Sequence, residues 1–247
     1  MNAMRLWMRT RALGDLLVLL ALLALPDMAR AATDAKGTDP KGSEQSATGG
    51  EYWFAETIQH GDGGIRVMYI WSKGRKLRAD RIIDGAVLQT IVNGDTYYNI
   101  LPTAGIGVAI QRTATALADD RKGGRPFGHD VEAILARGAE KAATERLMGH
   151  EVAVYRLNSG KSREEVWATT DGDKLPVKVV YTDREGGKSY ETLLNWAHGN
   201  AVKETFFEPD PRIAMQKVTY EEFVAGVKDG SLKTFPPLFN DLLVGEK

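Results

Sequence analysis

The sequence predicts a mainly β, α+β fold in which an antiparallel sheet carries a few short helices. From Glu51 onward, short apolar or alternating segments follow one another, and Gly, Asp, Asn or Ser separates each from the next. Such spacing is typical of consecutive antiparallel strands, and it indicates about ten or eleven of them. About two or three short stretches have helical periodicity instead. No shift in composition and no fixed repeat divides this region, so a single domain is expected.

The first half of the chain carries strand patterns joined by tight turns. They cover Tyr52–Ile58, Ile65–Trp71, Lys76–Ile82, Val87–Val92 and Thr96–Ile100, with a further candidate at Gly105–Gln111. In the third pattern, Leu77 and Ala79 alternate with charged residues, as one buried strand face requires. The sequence Asn93-Gly94-Asp95 predicts a type I′ hairpin turn between the fourth and fifth strands.

The middle of the chain interrupts the strands. Residues 113–124 are polar and are expected to be irregular. Residues 127–138 predict a helix that ends at Gly138, because apolar residues recur there at helical spacing. Its buried stripe is expected to consist of Val131, Ile134 and Leu135.

A second series of strands and a terminal helix complete the chain. The strand patterns are Ala139–Met148, Gly149–Tyr155, Val166–Trp167, Leu175–Tyr181, Thr192–Trp196 and Phe206–Pro209. Thr219 and Glu222 have the spacing of a capping box, which predicts a helix from Tyr220 to Lys228. The residues after this helix, with Pro236-Pro237, are expected to form an irregular tail.

The first 50 residues predict export. Residues 1–31 combine three early arginines, an apolar run at Leu16–Leu25 and the A-x-A site Ala29-Arg30-Ala31, which indicates a signal peptide cleaved after Ala31. An uncleaved anchor is the alternative, but the run is about half the ~20 residues that a membrane span needs. Residues 32–50 are small and polar, so a disordered spacer is expected. The predicted location is the periplasm.

Composition and motifs exclude several function classes. The chain has no cysteine, which excludes thiol catalysis, cysteine metal sites and lipidation after the signal. Its net charge of −1 gives no support for a nucleic-acid partner. The four histidines, His60, His129, His150 and His198, lack metal-ligand spacing. No P-loop or G-x-S-x-G motif occurs, and neighbours such as Glu164 and Glu165 point to opposite strand faces. We therefore expect no catalytic residues, no metal and no cofactor.

The order of these patterns resembles the outer-membrane lipoprotein-sorting protein superfamily of LolA/LolB-like periplasmic domains. The resemblance covers about residues 51–215 and rests on an ordered combination of motifs. These are Lys73-Gly74-x-Lys76-Leu77-Arg78, the hairpin Val92 to Tyr98, Gly149-His150-Glu151-Val152, Trp167, Leu175-Pro176-Val177-Lys178, Asn195-Trp196 and Phe207-x-Pro209. The chain departs from the family by lacking a long amphipathic helix before the first strand. It also adds residues 216–247, which are expected to pack on the same domain.

The resemblance implies a strongly curved antiparallel sheet, an incomplete barrel, whose concave side is covered by helices. It also implies an apolar cavity that accepts acyl chains. The function implied is that of a non-catalytic carrier for lipid or lipoprotein, and a protein-interaction or sensor module acting on an envelope partner is the alternative. The expected cavity-lining residues are Trp53, Tyr69, Trp71, Leu77, Tyr97, Trp167, Val179, Leu193 and Trp196. Ordinary core packing is the alternative role for these side chains.

A basic cluster in the third strand pattern admits two interpretations. It consists of Lys73, Arg75, Lys76, Arg78 and Arg81. Lipid headgroups or acidic partners could bind it, but Asp80 and Asp84 lie close in sequence, which favours a solvated hairpin face.

Overall fold

The computed structural model describes residues 51–61, 64–83, 85–122, 124–199 and 202–245. The predicted signal peptide and spacer lie outside these described residues. Within them, no helix combines the length and apolar character needed to cross a bilayer.

The described residues form one sheet of twelve strands. Their bounds are β1 Tyr52–Gly61, β2 Gly64–Lys73, β3 Lys76–Ile83, β4 Ala86–Asn93, β5 Thr96–Leu101, β6 Ile106–Gln111, β7 Glu140–Leu147, β8 His150–Asn158, β9 Ser162–Thr169, β10 Pro176–Asp183, β11 Lys188–His198 and β12 Ala214–Val218. The spatial order is β12-β6-β5-β4-β3-β2-β1-β11-β10-β9-β8-β7. Two antiparallel meanders therefore meet where β1 pairs with β11.

The sheet is mainly antiparallel, as predicted, but it is open rather than an incomplete barrel. Strands β7 and β12 form its two edges, and the sheet is not strongly curled. The parallel pairing of β12 with β6 was not expected from the sequence. It arises because the chain crosses the molecule between β11 and β12 before it returns to the β6 edge.

Four α-helices pack against this sheet in the described part of the chain. They are α1 Ala114–Asp119, α2 Asp130–Ala136, α3 Tyr220–Asp229 and α4 Asn240–Val244. The capping box of α3 is present as predicted, since Thr219 accepts from the backbone of Glu222 and the Glu222 side chain accepts from Thr219. Gly138 ends the α2 region with a φ of 89°.

Several local predictions were wrong. Residues 113–124, expected to be irregular, contain α1, which Thr113 caps by accepting from the Ala116 backbone. Helix α2 has only seven residues, and it packs through Val131 and Ile134 while Leu135 is 40% exposed. Phe206 and Phe207, expected to begin a strand that runs to Pro209, instead end the 3-10 turn Glu204–Phe207. The tail after α3, expected to be irregular, contains α4, and β12 forms before α3, where no strand was expected.

The β4–β5 hairpin is present, but its turn is not type I′. That type requires positive φ at both central residues. Gly94 has a φ of 61°, whereas Asp95 is not among the residues with positive φ. Glycine is still required at the first central position, so the sequence signal located the turn correctly and misassigned its type.

Cross-strand register divides the side chains between two faces, which we call the helix face and the opposite face. On the helix face of β3–β6, the buried residues Leu77, Ala79, Val92, Tyr97 and Ile110 form a core with apolar residues of the C-terminal helices. Those helix residues are Phe223, Leu242 and Leu243. A second cluster joins Val166 and Ala168 of β9 to Val131 and Ile134 of α2. The middle of the sheet contributes to the first cluster through Trp53 and Ala55 of β1 and Ile70 of β2.

The C-terminal segment Ser231–Phe239, which we call the strap, runs across the helix face. The Tyr97 hydroxyl accepts from the backbone N–H groups of Leu238 and Phe239 at 3.0 and 3.4 Å. The Asn99 side-chain amide donates to the Phe235 carbonyl at 2.8 Å. Helix-face polar groups of β5 therefore fix the strap in place.

A buried arginine holds α4 to the sheet. The Arg112 guanidinium donates to the carbonyl oxygens of Leu242 and Gly94, each at 2.6 Å. It also binds both carboxylate oxygens of Asp120 at 2.7 and 2.9 Å. The Arg112 side chain is 1% exposed, so this ion pair replaces the hydration that the guanidinium loses on folding.

Candidate ligand-binding cavity

A cavity of about 320 Å³ lies over the middle of the helix face. Strands β1, β2, β3 and β11 form its floor, and the loop before α2 and the end of the strap form its roof. The lining residues are Thr57, Gln59, Arg66, Met68, Ile70, Arg81, Phe127, Gly128, Asp130, Thr192, Leu194, Leu238 and Phe239. This volume is at the lower end of the range for small-molecule sites.

The strand register arranges the floor in three cross-strand rows of graded polarity. Partners across strands share a face and lie side by side. The first row pairs Thr192, Gln59 and Arg66, and the second runs through Leu194, Thr57, Met68 and Arg81. The third pairs Trp196, Ala55 and Ile70, of which only Ile70 lines the cavity itself. Polar groups therefore dominate the end near the β1–β2 hairpin, and apolar groups dominate the other end.

Aromatic rings close the apolar end. Phe127 stacks on Trp196 with ring centres 5.2 Å apart and planes 5° apart. Trp53 meets Trp196 edge to face at 6.2 Å. The Arg125 guanidinium lies 5.0 and 4.9 Å from the centres of the Trp53 and Trp196 rings. It also donates to the carbonyl oxygens of Phe127 and Gly128, so one side chain ties the roof loop to the sheet.

Gly128 allows the roof loop to approach Trp196. Its φ is 75°, a conformation that residues with a Cβ rarely adopt. A Cβ at this position would come within 2.4 Å of the Trp196 ring. The sequence therefore needs glycine here for both the backbone conformation and the close contact.

Two arginines occupy the polar end of the floor. Arg66 donates to the Gln59 side-chain oxygen at 3.4 Å. Burial lowers the pKa of Arg81, and the positive charge of Arg66 lowers this pKa further. Among the described residues, no carboxylate forms an ion pair with either guanidinium.

A partly buried acid lies in the roof. Burial raises the pKa of the Asp130 carboxyl, and the charges that act on this group include those of Glu164, His129 and Glu132. Burial lowers the pKa of Arg125, and this effect outweighs the charges of Glu132, Asp173, Glu51 and Asp130, which raise that pKa. Asp130 is not among the groups that change the pKa of Arg81.

The structure distributes the nine predicted lining residues between the two sheet faces. Trp53, Leu77, Tyr97, Val179 and Trp196 lie on the helix face, and Tyr69, Trp71, Trp167 and Leu193 lie on the opposite face. None of the nine directly lines the cavity. Trp53 and Trp196 stand behind Phe127, Leu77 and Tyr97 lie in the core, and Val179 packs near α2.

Sequence reasoning missed the polar lining, although a signal for part of it was present. Arg81 has the same strand parity as the buried Leu77 and Ala79, which places it on the buried face. The contribution of Asp130, Leu238 and Phe239 depends on how the roof loop and strap cross the sheet. No local pattern in the sequence encodes these crossings.

The predicted basic cluster is mostly neutralised by acids. Lys73 and Lys76 pair with Glu204, Arg75 pairs with Asp120, and Arg78 pairs with Asp80. Arg81 differs from the other members because it lies in the cavity and pairs with no described acid.

The opposite face carries an aromatic patch that consists of Phe54, Tyr69, Trp71 and Phe206. Neighbouring ring centres in the patch lie 5.2–6.4 Å apart. The Arg78 guanidinium lies 4.4 Å from the centre of the Phe206 ring. All four rings are only partly buried, so this patch is a second surface with binding potential.

No family model and no curated protein matches the chain. Solved structures show distant likeness. An uncharacterised conserved protein from Thermus thermophilus is 12% identical with a TM-score of 0.48, over 68% of this chain and 90% of that one. MucB, solved in complex with MucA(peri), is 15% identical with a TM-score of 0.41, over 68% and 57%. An outer membrane lipoprotein-sorting protein domain from Vibrio parahaemolyticus is 15% identical with a TM-score of 0.28, over 64% and 89%.

Proposed function

We propose that the protein is a non-catalytic binding protein or carrier that holds an apolar or acylated ligand, such as a lipid or a lipoprotein acyl chain, in the bacterial envelope. The observation that carries the proposal is the graded cavity of the helix face. Its floor passes from Arg66 and Gln59 at one end to Ile70 and the Phe127–Trp196 stack at the other. An amphiphile has a polar head followed by an apolar tail, which matches the order of polar and apolar residues along this floor.

The proposal predicts that ligand binding depends on the helix face and not on the opposite face. Thr192 lines the cavity, whereas the adjacent Leu193 points to the other side of β11. Thr192→Phe should fill the cavity and weaken binding of an apolar fluorescent probe by about tenfold or more, because lost contacts of about 1.4 kcal/mol give that factor. Leu193→Phe is the matched control and should bind as the wild type does.

The test uses the full chain produced in a bacterium, with native mass spectrometry to detect co-purified lipid and fluorescence titration to measure affinity. Equal loss of binding in both variants would show that the ligand does not occupy the helix-face cavity. Wild-type protein that carries no lipid and binds no apolar probe would overturn the carrier proposal itself.

The alternative function is that of an interaction module for an envelope protein, and the aromatic patch of the opposite face favours it. Partly exposed aromatic residues with an adjacent arginine are enriched in protein interfaces. Trp71→Ala should then abolish capture of one stoichiometric partner from envelope extracts, while lipid binding remains unchanged. Capture that is unaffected by this substitution would exclude the patch as the interface.

A further inference from the structure

We infer that Arg66 and Arg81 form an anion subsite inside the cavity, so that the ligand is an amphiphile whose head group presents anionic oxygens, as a carboxylate or a phosphate does. This inference rests on the proposed function and adds the chemical class of the head group. Three observations carry it.

The first observation is the position of the two side chains. Arg81 is the cross-strand partner of Met68, and Arg66 stands two residues before Met68 on the same strand. Diagonal neighbours of this kind lie about 7–8 Å apart at Cα, within reach of long side chains. Both side chains line the same cavity, Arg66 from its most polar row and Arg81 from the adjacent row.

The second observation is that no described carboxylate neutralises the pair. Arg66 has Gln59 as its hydrogen-bond partner, and neither Arg66 nor Arg81 forms an ion pair with an acid in the described part of the chain. The lowered pKa of Arg81 has burial as its main cause and Arg66 as its second. Two partly desolvated like charges repel each other in the ligand-free protein, and an anion placed between them would relieve this repulsion.

The third observation is the contrast with the other basic residues of the same hairpins. Lys73, Lys76, Arg75 and Arg78 each have an acidic partner. Asp130, the acid that lines the cavity, lies in its roof and is not among the groups that change the pKa of Arg81. An arginine pair without a described counter-charge, in a cavity whose other end is apolar, suits a guanidinium–oxyanion contact, which is charge-assisted and often bidentate.

The geometry also orients the ligand. With its head group between Arg66 and Arg81, the tail follows Met68 and Ile70 toward Phe127. Leu238 and Phe239 of the strap cover the tail from above. The ligand is thus held by charge at one end and by apolar contact along the rest of its length.

The test compares ligands with the same twelve-carbon tail and different head groups. The full chain is titrated, below the micelle concentration, with dodecanoate, dodecyl phosphate, 1-dodecanol and dodecyltrimethylammonium in competition with a neutral fluorescent probe. Hydrogen bonds to charged groups contribute enough for the anions to bind about 10- to 100-fold more tightly than dodecanol. A preference between dodecanoate and dodecyl phosphate identifies which of the two head groups the site takes.

Variants separate the anion subsite from the cavity. Arg66→Gln/Arg81→Gln should lose the preference for anions and keep the affinity for dodecanol. Arg212→Gln removes an arginine that is 88% exposed and pairs within its own loop, so it should behave as the wild type. Because the substitutions remove like-charge repulsion, the ligand-free double variant should melt at or above the wild-type temperature.

Three results would overturn the inference, and they are distinguishable. Wild-type protein that binds dodecanol as tightly as dodecanoate and dodecyl phosphate has a cavity but no anion subsite. Wild-type protein that binds none of the four compounds lacks the proposed function as well. Tighter binding of dodecyltrimethylammonium than of the anions would also exclude the subsite.

Discussion

At the scale of single residues, register rather than residue type decides what a charged side chain does. Arg78 and Arg81 stand three positions apart in the same strand, and the sequence presents them as members of one basic cluster. Their opposite parity sends Arg78 to Asp80 and Phe206 on the opposite face, and Arg81 into the cavity. Pairing across strands explains in the same way why Trp71 and Trp196, both predicted to line a cavity, lie on different faces. Trp71 pairs with Phe54 of β1, whereas Trp196 pairs with the adjacent Ala55.

Substitution of Gly128 tests the contact between the roof loop and Trp196. Gly128→Ala combines a positive φ with a Cβ that would lie 2.4 Å from the Trp196 ring. We expect a loss of about 2–4 kcal/mol in the free energy of unfolding, because strain and overpacking add. Gly138→Ala is the control, with a φ of 89° and no atom within 4 Å of the added Cβ. Equal losses in urea titrations of the two variants would mean that the ring contact is unimportant.

The Arg112–Asp120 pair predicts a pH-dependent stability. Burial alone would raise the pKa of Asp120, but hydrogen bonds and positive charges from Arg112 and Arg75 outweigh it and leave the pKa below its ordinary value of 3.8. A group whose pKa is lowered in the folded state stabilises the protein at pH values above the unfolded-state pKa. This stabilisation is lost as the pH falls through the folded-state pKa.

Asp120→Asn should therefore lower the free energy of unfolding by about 2–3 kcal/mol at pH 7, because the buried Arg112 loses its counter-charge. The difference from wild type should shrink below about pH 4, where Asp120 becomes protonated in the unfolded chain. Thermal melts between pH 3 and pH 8 measure this difference in stability.

The control is Asp210→Asn, which removes a solvent-accessible carboxylate that pairs with Arg212. It should leave the melting temperature unchanged. If Asp120→Asn were less stable than the wild type by the same amount at every pH in this range, the ion pair of Asp120 with Arg112 would not be the source of the stabilisation.

At the scale of elements, the strap is the part of the fold that completes the cavity. It lies over β5, and its last residues, Leu238 and Phe239, form part of the roof. Burial raises the pKa of Tyr97 to about 12, so its hydroxyl stays neutral and serves as the acceptor for both strap N–H groups. The strap is thus held by hydrogen bonds at Phe235, Leu238 and Phe239. Helix α4 follows it directly and packs into the core through Leu242 and Leu243.

Removal of the Tyr97 hydroxyl should loosen the strap locally. In Tyr97→Phe the N–H groups of Leu238 and Phe239 lose their acceptor, which costs about 1–3 kcal/mol. Amide hydrogen exchange at these two residues should accelerate, while β1 and β11 remain protected. Tyr98→Phe is the matched control, since the Tyr98 hydroxyl has no hydrogen-bond partner among the described residues and faces the other side of β5. Unchanged exchange in Tyr97→Phe would show that other contacts fix the strap.

The sequence predicted strands more reliably than the short elements between them. Strand patterns such as Lys76–Ile82 alternate strongly enough to be recognised, and β3 forms there. Helix α1 and the 3-10 turn Glu204–Phe207 have few apolar residues of clear periodicity, and tertiary contacts stabilise them. The apolar pair Phe206-Phe207 was predicted to belong to a strand but lies in a turn. Phe206 packs there against Trp71 of the opposite face and against Phe207.

At the scale of the whole molecule, the export prediction concerns residues outside the described part of the chain and has a direct test. When the full chain is produced in a bacterium, the purified protein should begin at Ala32, because Ala29-Arg30-Ala31 has the A-x-A pattern expected of a signal-peptidase site. Intact mass and N-terminal sequencing check this, together with fractionation of the periplasm. Ala31→Leu is the control and should slow processing. A product that retains its first residues would favour the uncleaved anchor.

The sequence by itself determined the mainly antiparallel sheet, most of its strands and the capping box of α3. Each of these depends on neighbours a few residues apart, so alternation, turn residues and cap spacing are enough to specify it. The tertiary structure alone decided that the sheet is open, that β12 returns parallel to β6, and that the strap and the loop before α2 roof a cavity. These features join residues more than a hundred positions apart, such as Tyr97 and Leu238, and packing free energy rather than local preference selects them.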